Sequence, residues 1–317
     1  MGSTICLNRM RRMLEISMIL GLVLLFTAPG WSREESPAGT GQSRPDRVVP
    51  TGSVKISGNH QFPGHLNGDQ GKVSVSHSRV DASYSRYTLS WQTSWYSWQD
   101  KHALPFGDAR TDPWNDLHSL SLLVDQRGRL SSRWSYFVQG AIRSGFEKQI
   151  SRSLGIAANG GVIYGWDEDW SLGLGGYIGL APTSRFGFSS TFAMVGPFVQ
   201  YRHPGATGFS ARLGFPQSEL RYTFNPVWST WLGVGINSGT YRLADNNTVM
   251  PRGYVRAKTY TSGIYLDVTP TPSLTIRFGP TYNFGRRLDF YDSGGDKRRG
   301  YDLKAVPGLE AGVNWTF

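Results

Sequence analysis

The sequence predicts an all-β protein, a transmembrane antiparallel up-and-down β-barrel, and three observations predict it. The final stretch alternates: Leu309, Ala311, Val313, Trp315 and Phe317 share one face, and Gly308, Glu310, Gly312, Asn314 and Thr316 share the other. That is the period of two of a strand with one apolar and one polar side. The amino-terminus has the layout of an export signal: Arg9, Arg11 and Arg12, then an apolar core from Met13 to Phe26, then the small-residue stretch Ala28-Pro29-Gly30-Trp31-Ser32. After Phe26 no apolar run approaches the ~20 residues of a membrane-spanning helix. A membrane protein with this sequence therefore crosses with strands closed into a barrel.

Three segments follow. Residues 1–32 read as a cleaved signal peptide, interrupted by Glu15, with cleavage after Gly30 or after Ser32. The single cysteine, Cys6, precedes the apolar core, so it does not mark a lipid-attachment site and the mature chain has no disulfide. Residues 33–71 read as a mostly disordered periplasmic leader, because 33–52 is rich in Pro, Gly, Ser and charge without periodicity. Within it, 53–71 is either a short strand around Val54-Lys55-Ile56 or more leader. Residues 72–317 read as the barrel. The 39 glycines, 11 Trp and 15 Tyr suit a wall of tilted strands with small residues on the crowded inner face and aromatic girdles at both interfaces. The formal charge is +10. Export argues against nucleic acid as the partner. Outer-membrane lipid, anionic lipopolysaccharide and the barrel-assembly machinery fit better, and the oligomeric state is left open.

The elements come in order. Lys72 to Trp98 is strand-like, with a turn near Asp81-Ala82-Ser83 and then Tyr87, Leu89, Trp91, Thr93 and Trp95 on one face. Gln99 to Asp116 is a long polar loop. Leu120, Leu122 and Val124 mark a strand, Gln126 to Arg129 a tight turn, and Trp134, Tyr136, Val138, Gly140 and Ile142 the next strand. Glu147 to Arg152 is a loop, Ile156 to Gly165 a strand, and Asp167-Glu168-Asp169 a turn. In Trp170 to Leu180, Leu172, Leu174, Ile178 and Leu180 oppose Gly173, Gly175 and Gly179. Pro182 to Ser190 is a loop, Thr191 to Arg202 a strand, and His203 to Gly208 a turn. Phe209 to Phe224 divides at Pro216-Gln217-Ser218 into two short strands, and Asn225-Pro226 turns the chain. Leu232, Val234 and Ile236 oppose Gly233, Gly235 and Asn237, followed by a loop from Ala244 to Pro251. Tyr260, Ile264, Leu266 and Val268 form a strand that ends at the turn Thr269 to Pro272. Leu274, Ile276, Phe278, Tyr282 and Phe284 oppose Thr275, Arg277, Thr281 and Asn283. A long charged loop, Arg286 to Asp302, leads to the closing strand.

With both ends on the periplasmic side, the strand number must be even, with short turns on that side and long loops outside. The count is about 12, within a range of roughly 10 to 14. It closes at about 12 only if 209–224 is two short strands, and becomes about 14 if 53–61 and 72–80 each pair.

Glu310, Gly312, Trp315 and Phe317 resemble the assembly signal in the closing strand of bacterial outer-membrane β-barrels. From about Arg79 to Phe317 the chain also resembles an uncharacterised family of such barrels. The likeness rests on Leu213-Gly214-Phe215-Pro216, Leu220-Arg221-Tyr222, Trp228 to Tyr241, and Gly285-Arg286-Arg287-Leu288-Asp289-Phe290. The resemblance implies an outer-membrane barrel and supplies no catalytic residues.

Chemistry is sparse. Asn159-Gly160-Gly161 and Gly173 to Gly176 lack the Lys-Ser/Thr of a phosphate loop and read as wall packing. No cluster has metal-ligand spacing, so no metal or cofactor is expected; Asp167 to Asp169 reads as a solvated turn. Six histidines are present: His60, His65, His77, His102, His118 and His203. Ser76-His77-Ser78 and His118-Ser119 place a hydroxyl beside an imidazole, but neighbours in a strand point to opposite faces.

The sharper signal is charge on the lumen face, Arg143, Arg212, Arg221 and Arg277 against Glu219 and Glu310. Two outcomes stay open: the surplus guanidinium favours anions in transit, or the arginines pair with carboxylates and fill a narrow barrel. The expected function is a narrow channel for small, anion-biased solutes. The alternatives are an outer-membrane lipid-modifying enzyme, which needs a His close to a Ser on the membrane-facing wall, and a structural or adhesive barrel. The last would show a blocked lumen and ordered outer loops.

Overall fold

The computed structural model describes residues 52–180, 191–203, 205–214 and 217–317. The expected signal peptide, the leader up to residue 51 and the Pro182 to Ser190 loop lie outside them. The strands are β1 (Gly52–Leu66), β2 (Gln70–Tyr84), β3 (Tyr87–Gln99), β4 (Asp116–Arg129), β5 (Trp134–Phe146), β6 (Leu154–Gly165), β7 (Trp170–Leu180) and β8 (Thr191–Arg202), followed by β9 (Gly208–Gly214), β10 (Gln217–Thr223), β11 (Trp228–Arg242), β12 (Tyr254–Thr271), β13 (Leu274–Tyr291), β14 (Lys297–Leu303) and β15 (Val306–Thr316). Sequential strands pair antiparallel from β1 to β13, β15 pairs with β13, and β1 pairs with β15. The seam is held at its end by reciprocal backbone bonds between Gly52 and Phe317, 2.8 and 2.9 Å.

Fourteen strands close the barrel, where about 12 were expected. β14 lies beyond that ring and carries the line of β15 onward, since Asn283↔Val306 and Arg286↔Leu303 keep one register against β13. The correction to the count comes from the amino-terminal side. The barrel begins at Gly52, so 52–71 belongs to it rather than to the leader. β1 pairs with β2 from Gly52↔Tyr84 to Leu66↔Gln70 through two irregularities. It escapes a hydrophobicity reading because its outward residues include Gly58 and His60. β2 also runs past the turn expected near Asp81 and reverses at Ser85-Arg86, with Ser85 in the left-handed region (φ 56°) that tight hairpin turns use. The expected loop from Arg286 to Asp302 is mostly a β13–β14 hairpin, laced by Arg287–Asp302 (2.8 Å) and Lys297–Asp289 (2.8 Å) ion pairs.

Directly paired residues point to the same side of a sheet, so one inside residue fixes the face of every neighbour. The outside carries Leu89, Leu122, Ile142, Leu172, Leu232, Ile264 and Val313, all exposed. In water this much contiguous apolar surface would drive association; in a bilayer it is the required face. Around the end with short turns, aromatic pairs make a girdle: Trp134–Tyr164 at 5.1 Å, Trp170–Tyr201 at 4.8 Å and Trp315–Phe317 at 5.1 Å between ring centroids.

At the end with long loops the barrel divides. The tip of β11 crosses to β5, where Arg242 pairs in parallel with Phe146. The Glu147 N–H donates to the Arg242 carbonyl (2.9 Å), and the Glu147 carboxylate accepts from the Ala244 N–H (2.8 Å) and the Asn247 amide (3.0 Å). The crossing needs Gly145: it sits on the inner face of β5, and a Cβ there would run into the Thr240 carbonyl oxygen. On one side of the crossing, β1–β5 and β11–β14 form a smaller ring of about nine strands, near the size that side chains fill. Leu66, Val73, Trp98, Leu117, Leu243, Val255 and Phe290 fill it.

The β3–β4 loop, expected to be polar and external, supplies the lid of this core. Phe106 and Trp114 turn inward against Phe290 (5.1 and 5.9 Å) and Trp98 (5.7 and 5.0 Å), and the Trp98 indole N–H donates to the Trp114 carbonyl at 2.9 Å. Beside this core is a void of about 40 Å³, lined among others by Gln61, His77, Tyr96 and Tyr241. The lid's outer turn is held by Asp108, whose carboxylate accepts from the N–H groups of Thr111 (2.8 Å) and Arg110 (3.0 Å) and from the Thr111 hydroxyl. These bonds, Thr111 first, lower its pKa to about 2.

Two tests follow from this architecture. Gly145→Val should separate β11 from β5 and lower the urea unfolding midpoint by the equivalent of about 3 kcal/mol, the upper range for overpacking; a midpoint equal to that of the parent protein would contradict the crossing. The Asp108 turn contributes stability above the ordinary aspartate pKa, and that contribution is lost as the pH falls through about 2. Pepsin cleavage within 100–115, normalised to an unfolded chain, should therefore stay slow at pH 4 and accelerate toward pH 2, with Asp108→Asn already fast at pH 4.

Candidate functional site

With one side of the crossing filled, the interior that can hold a solute lies along β5 to β11. Its inner face is set by pairing: Ala157 opposite Gly179, Gly161 opposite Gly175, Gly175 opposite Gly196, and Gly173 opposite Phe198. Several glycines of this wall are covered by rings. A Cβ at Gly173 would enter the Phe198 ring, one at Gly161 would meet the Leu174 carbonyl oxygen and Phe137, one at Gly179 Tyr177, and one at Gly233 Trp231. The arrangement is wall packing that also keeps the rings from projecting into the lumen.

The register places Arg143, Arg212, Arg221, Arg277, Glu219 and Glu310 on this inner side of the wall. They fall into two groups. Arg221 and Arg277 converge on Asp267. Arg277 donates from Nε and one terminal nitrogen to the two Asp267 oxygens (2.8 and 2.9 Å), and Arg221 reaches Asp267 at 2.9 Å and Glu219 at 2.9 Å. Asp267 is 4% exposed at its side chain. Beside it Trp231 stacks on Tyr265 at 4.1 Å, Arg277 lies 4.3 Å from the Trp231 ring centre, and the Tyr265 hydroxyl donates to Glu310 at 3.3 Å. Two guanidiniums here face Glu219, Asp267 and Glu310, so this side of the lumen is not cationic. Asp267 is the residue that inspection of the sequence missed. Its place between Leu266 and Val268 gave its face, but only the register shows that it lies opposite Arg277.

Arg143 and Arg212 are different. Among the described residues neither has an ion-pair partner. Arg212 rests over the Phe198 ring at 5.1 Å, and Arg143 donates to the Tyr177 hydroxyl at 3.5 Å. Arg212 also borders a recess of about 410 Å³ at the turn end, together with Ser171, Gln200, Arg202, Ser210 and Glu219. Asp167, at the rim of this recess, spends one carboxylate oxygen on the N–H groups of Asp169 (2.9 Å) and Trp170 (2.7 Å), which makes it a turn cap. Among the described residues no three metal-ligating side chains converge.

Three of the six histidines find hydroxyls across strands rather than beside them. His77, inside, bonds Ser94 at 2.8 Å; outside, His60 bonds Ser76 at 2.8 Å and His118 bonds Thr93 at 3.1 Å. In the closing strand, Glu310 and Gly312 face in, while Trp315 and Phe317 join the outer girdle.

A closed ring of strands, an exposed aliphatic belt and an aromatic girdle together decide the class. The chain is an outer-membrane β-barrel. The turn end is therefore periplasmic and the loop end extracellular. No protein-family model matches the chain, and no curated protein matches it by sequence. Among solved structures it is similar to an outer-membrane channel from Pseudomonas putida F1, with 13% identity, a TM-score of 0.42, and 87% of this chain and 100% of that one covered. It is also similar to the NanC porin (11%, 0.37, 83% and 98%) and to the P. putida toluene transporter TodX (10%, 0.34, 86% and 90%). These likenesses are distant, and none of them assigns a cargo to this barrel.

Removing Asp267 should strip Arg277 of its ion-pair partner and leave Arg221 with Glu219 alone. Asp267→Ala is expected to cost about 3 to 5 kcal/mol, as when one partner of a buried ion pair is deleted, whereas Arg212→Ser should cost less than about 0.5 kcal/mol. Urea titration of the two variants in lipid separates them, and equal midpoints would refute the distinction.

Proposed function

We propose that the barrel is a narrow channel for small anions, with the passage on the β5–β11 side of the crossing and Arg143 and Arg212 as its selecting cations. The observation that carries this reading is the contrast between the two arginine groups. Arg221 and Arg277 are neutralised by Asp267 and Glu219, while Arg143 and Arg212 keep their charge toward a lumen whose wall is flattened by glycine. A fixed positive charge in a low-dielectric tube concentrates anions and repels cations. The Phe198 face beneath Arg212 and the Tyr177 hydroxyl beside Arg143 hold the guanidiniums in place without cancelling their charge. This reading takes a part from each of the two outcomes the sequence left open, pairing at Arg221 and Arg277 and an anion-favouring surface at Arg143 and Arg212.

A second reading, a structural or adhesive barrel acting through its outer loops, is favoured by one observation. The extracellular half of the smaller ring is filled, and the 100–115 loop and the β13–β14 hairpin are both well packed.

Single-channel recording in a planar bilayer with unequal salt on the two sides tests both. The expected result is discrete conductance with a reversal potential on the anion side. In the Arg143→Ser/Arg212→Ser double variant, conductance should persist with the anion preference lost. Silence from a folded, heat-modifiable barrel would overturn the channel and leave the structural reading standing.

A further inference from the structure

The outer wall is not apolar throughout. On the membrane-facing side of β1 to β4 the aliphatic belt is interrupted by His60, Ser76, Ser78, Thr93, Asp116 and His118, which the register places on two adjacent rows. Polar groups facing lipid are costly, and four of these offset the cost by bonding in pairs. His60 Nδ1 lies 2.8 Å from Ser76 Oγ, His118 Nδ1 lies 3.1 Å from Thr93 Oγ1, and His118 Nε2 lies 3.7 Å from Asp116. His60 also borders a recess of about 500 Å³ on the same outer wall, walled by Gly58, Phe278, Pro280, Leu309 and Ala311, with Ser76 one hydrogen bond away from its edge. Its size is within the ~300–1,000 Å³ of ligand sites, and its lining is nearly all carbon. Gly58 and Ala311 form its floor, because larger residues at those two paired positions would fill it.

The occupant follows from the location: a surface recess at this depth in a bilayer meets lipid acyl chains. His60 stands eight residues from the periplasmic start of β1, roughly 19 Å up the wall at ~3.3 Å per residue and ~45° tilt. The apolar band is about 25 Å tall. The imidazole and hydroxyl thus stand near the outer edge of the band, where acyl chains meet their ester linkages.

We propose that Ser76 and His60 form a hydrolytic dyad that cleaves an ester-linked acyl chain of a membrane lipid seated in this recess. Ser76 Oγ attacks the ester carbonyl carbon while its proton passes to His60 Nδ1. The bond to the lipid alcohol breaks, and the alcohol leaves with that proton. Water then attacks the Ser76 ester with His60 again as base, which releases the fatty acid and restores the hydroxyl. Among the described residues no carboxylate bonds His60, so the pair works without the third group of a full triad. The site is on the opposite side of the wall from the lumen arginines and stands independently of conductance.

The test uses the full chain, folded in mixed micelles of detergent and phosphatidylethanolamine. A fluorophosphonate probe is mapped by mass spectrometry, and fatty-acid release is measured beside it. The expected result is label on Ser76 and release above protein-free micelles. His60→Ala should reduce both by about 100-fold or more, the scale of a lost general base, and Ser78→Ala should retain both. Heat-modifiability confirms folding of each variant. A folded barrel with Ser76 unlabelled, labelled equally without His60, or labelled without releasing fatty acid would overturn the proposal.

Discussion

The approach of the β11 backbone to Gly145 is the contact on which the rest of the cross-section depends. A ring of fourteen strands is intermediate between the roughly eight that side chains fill and the ~16 to 18 that leave open water. The crossing resolves that intermediate size by dividing it. One part becomes small enough to be filled by Trp98, Trp114, Phe106 and Phe290, and the other keeps a glycine-rich wall. No side chain larger than hydrogen fits between the two backbones at this point. A single residue therefore separates a solid half from the half that can hold solute.

Charge is divided as well. On the wall from β10 to β13, guanidiniums are bound to carboxylates and stacked on indole, as Arg277 is by Asp267 and Trp231. Buried pairs of this kind add little net stability over apolar packing, yet losing one partner is severe. Where the wall is flat, Arg143 and Arg212 rest against phenol and phenyl groups that leave their charge unspent. The sign of the lumen field is thus decided locally by which arginines a carboxylate actually reaches.

Much of the barrel was legible because period-two alternation is a local property. The face of Leu309 to Phe317, the paired short strands β9 and β10, and the inward direction of Arg212, Arg221 and Arg277 all follow from counting by two. β1 was obscured because Gly58 and His60 occupy outward positions where a strand facing lipid normally shows aliphatics. Phe106 and Trp114 were read as loop residues, although two large aromatics in an otherwise polar segment are a signal that the loop packs inward. What alternation cannot give is register, and register made the functional contacts: Asp267 with Arg277, His60 with Ser76, His118 with Thr93. A slip of two residues would preserve every face and dissolve all three.

The flat rings over glycine have a further consequence. Trp231 and Gly233, Tyr177 and Gly179, and Gly263 and Tyr265 are each two apart on one strand, so each ring folds along its own backbone into space that the missing side chain leaves. The bore of the tube is then fixed by hydrogen atoms rather than by circumference. One methyl group at any of these glycines would tip its ring toward the axis, narrowing the opening by most of an aromatic width while leaving strand number, shear and the lipid-facing surface as they were. Calibre in such a wall can change in small independent steps, without rebuilding the cylinder.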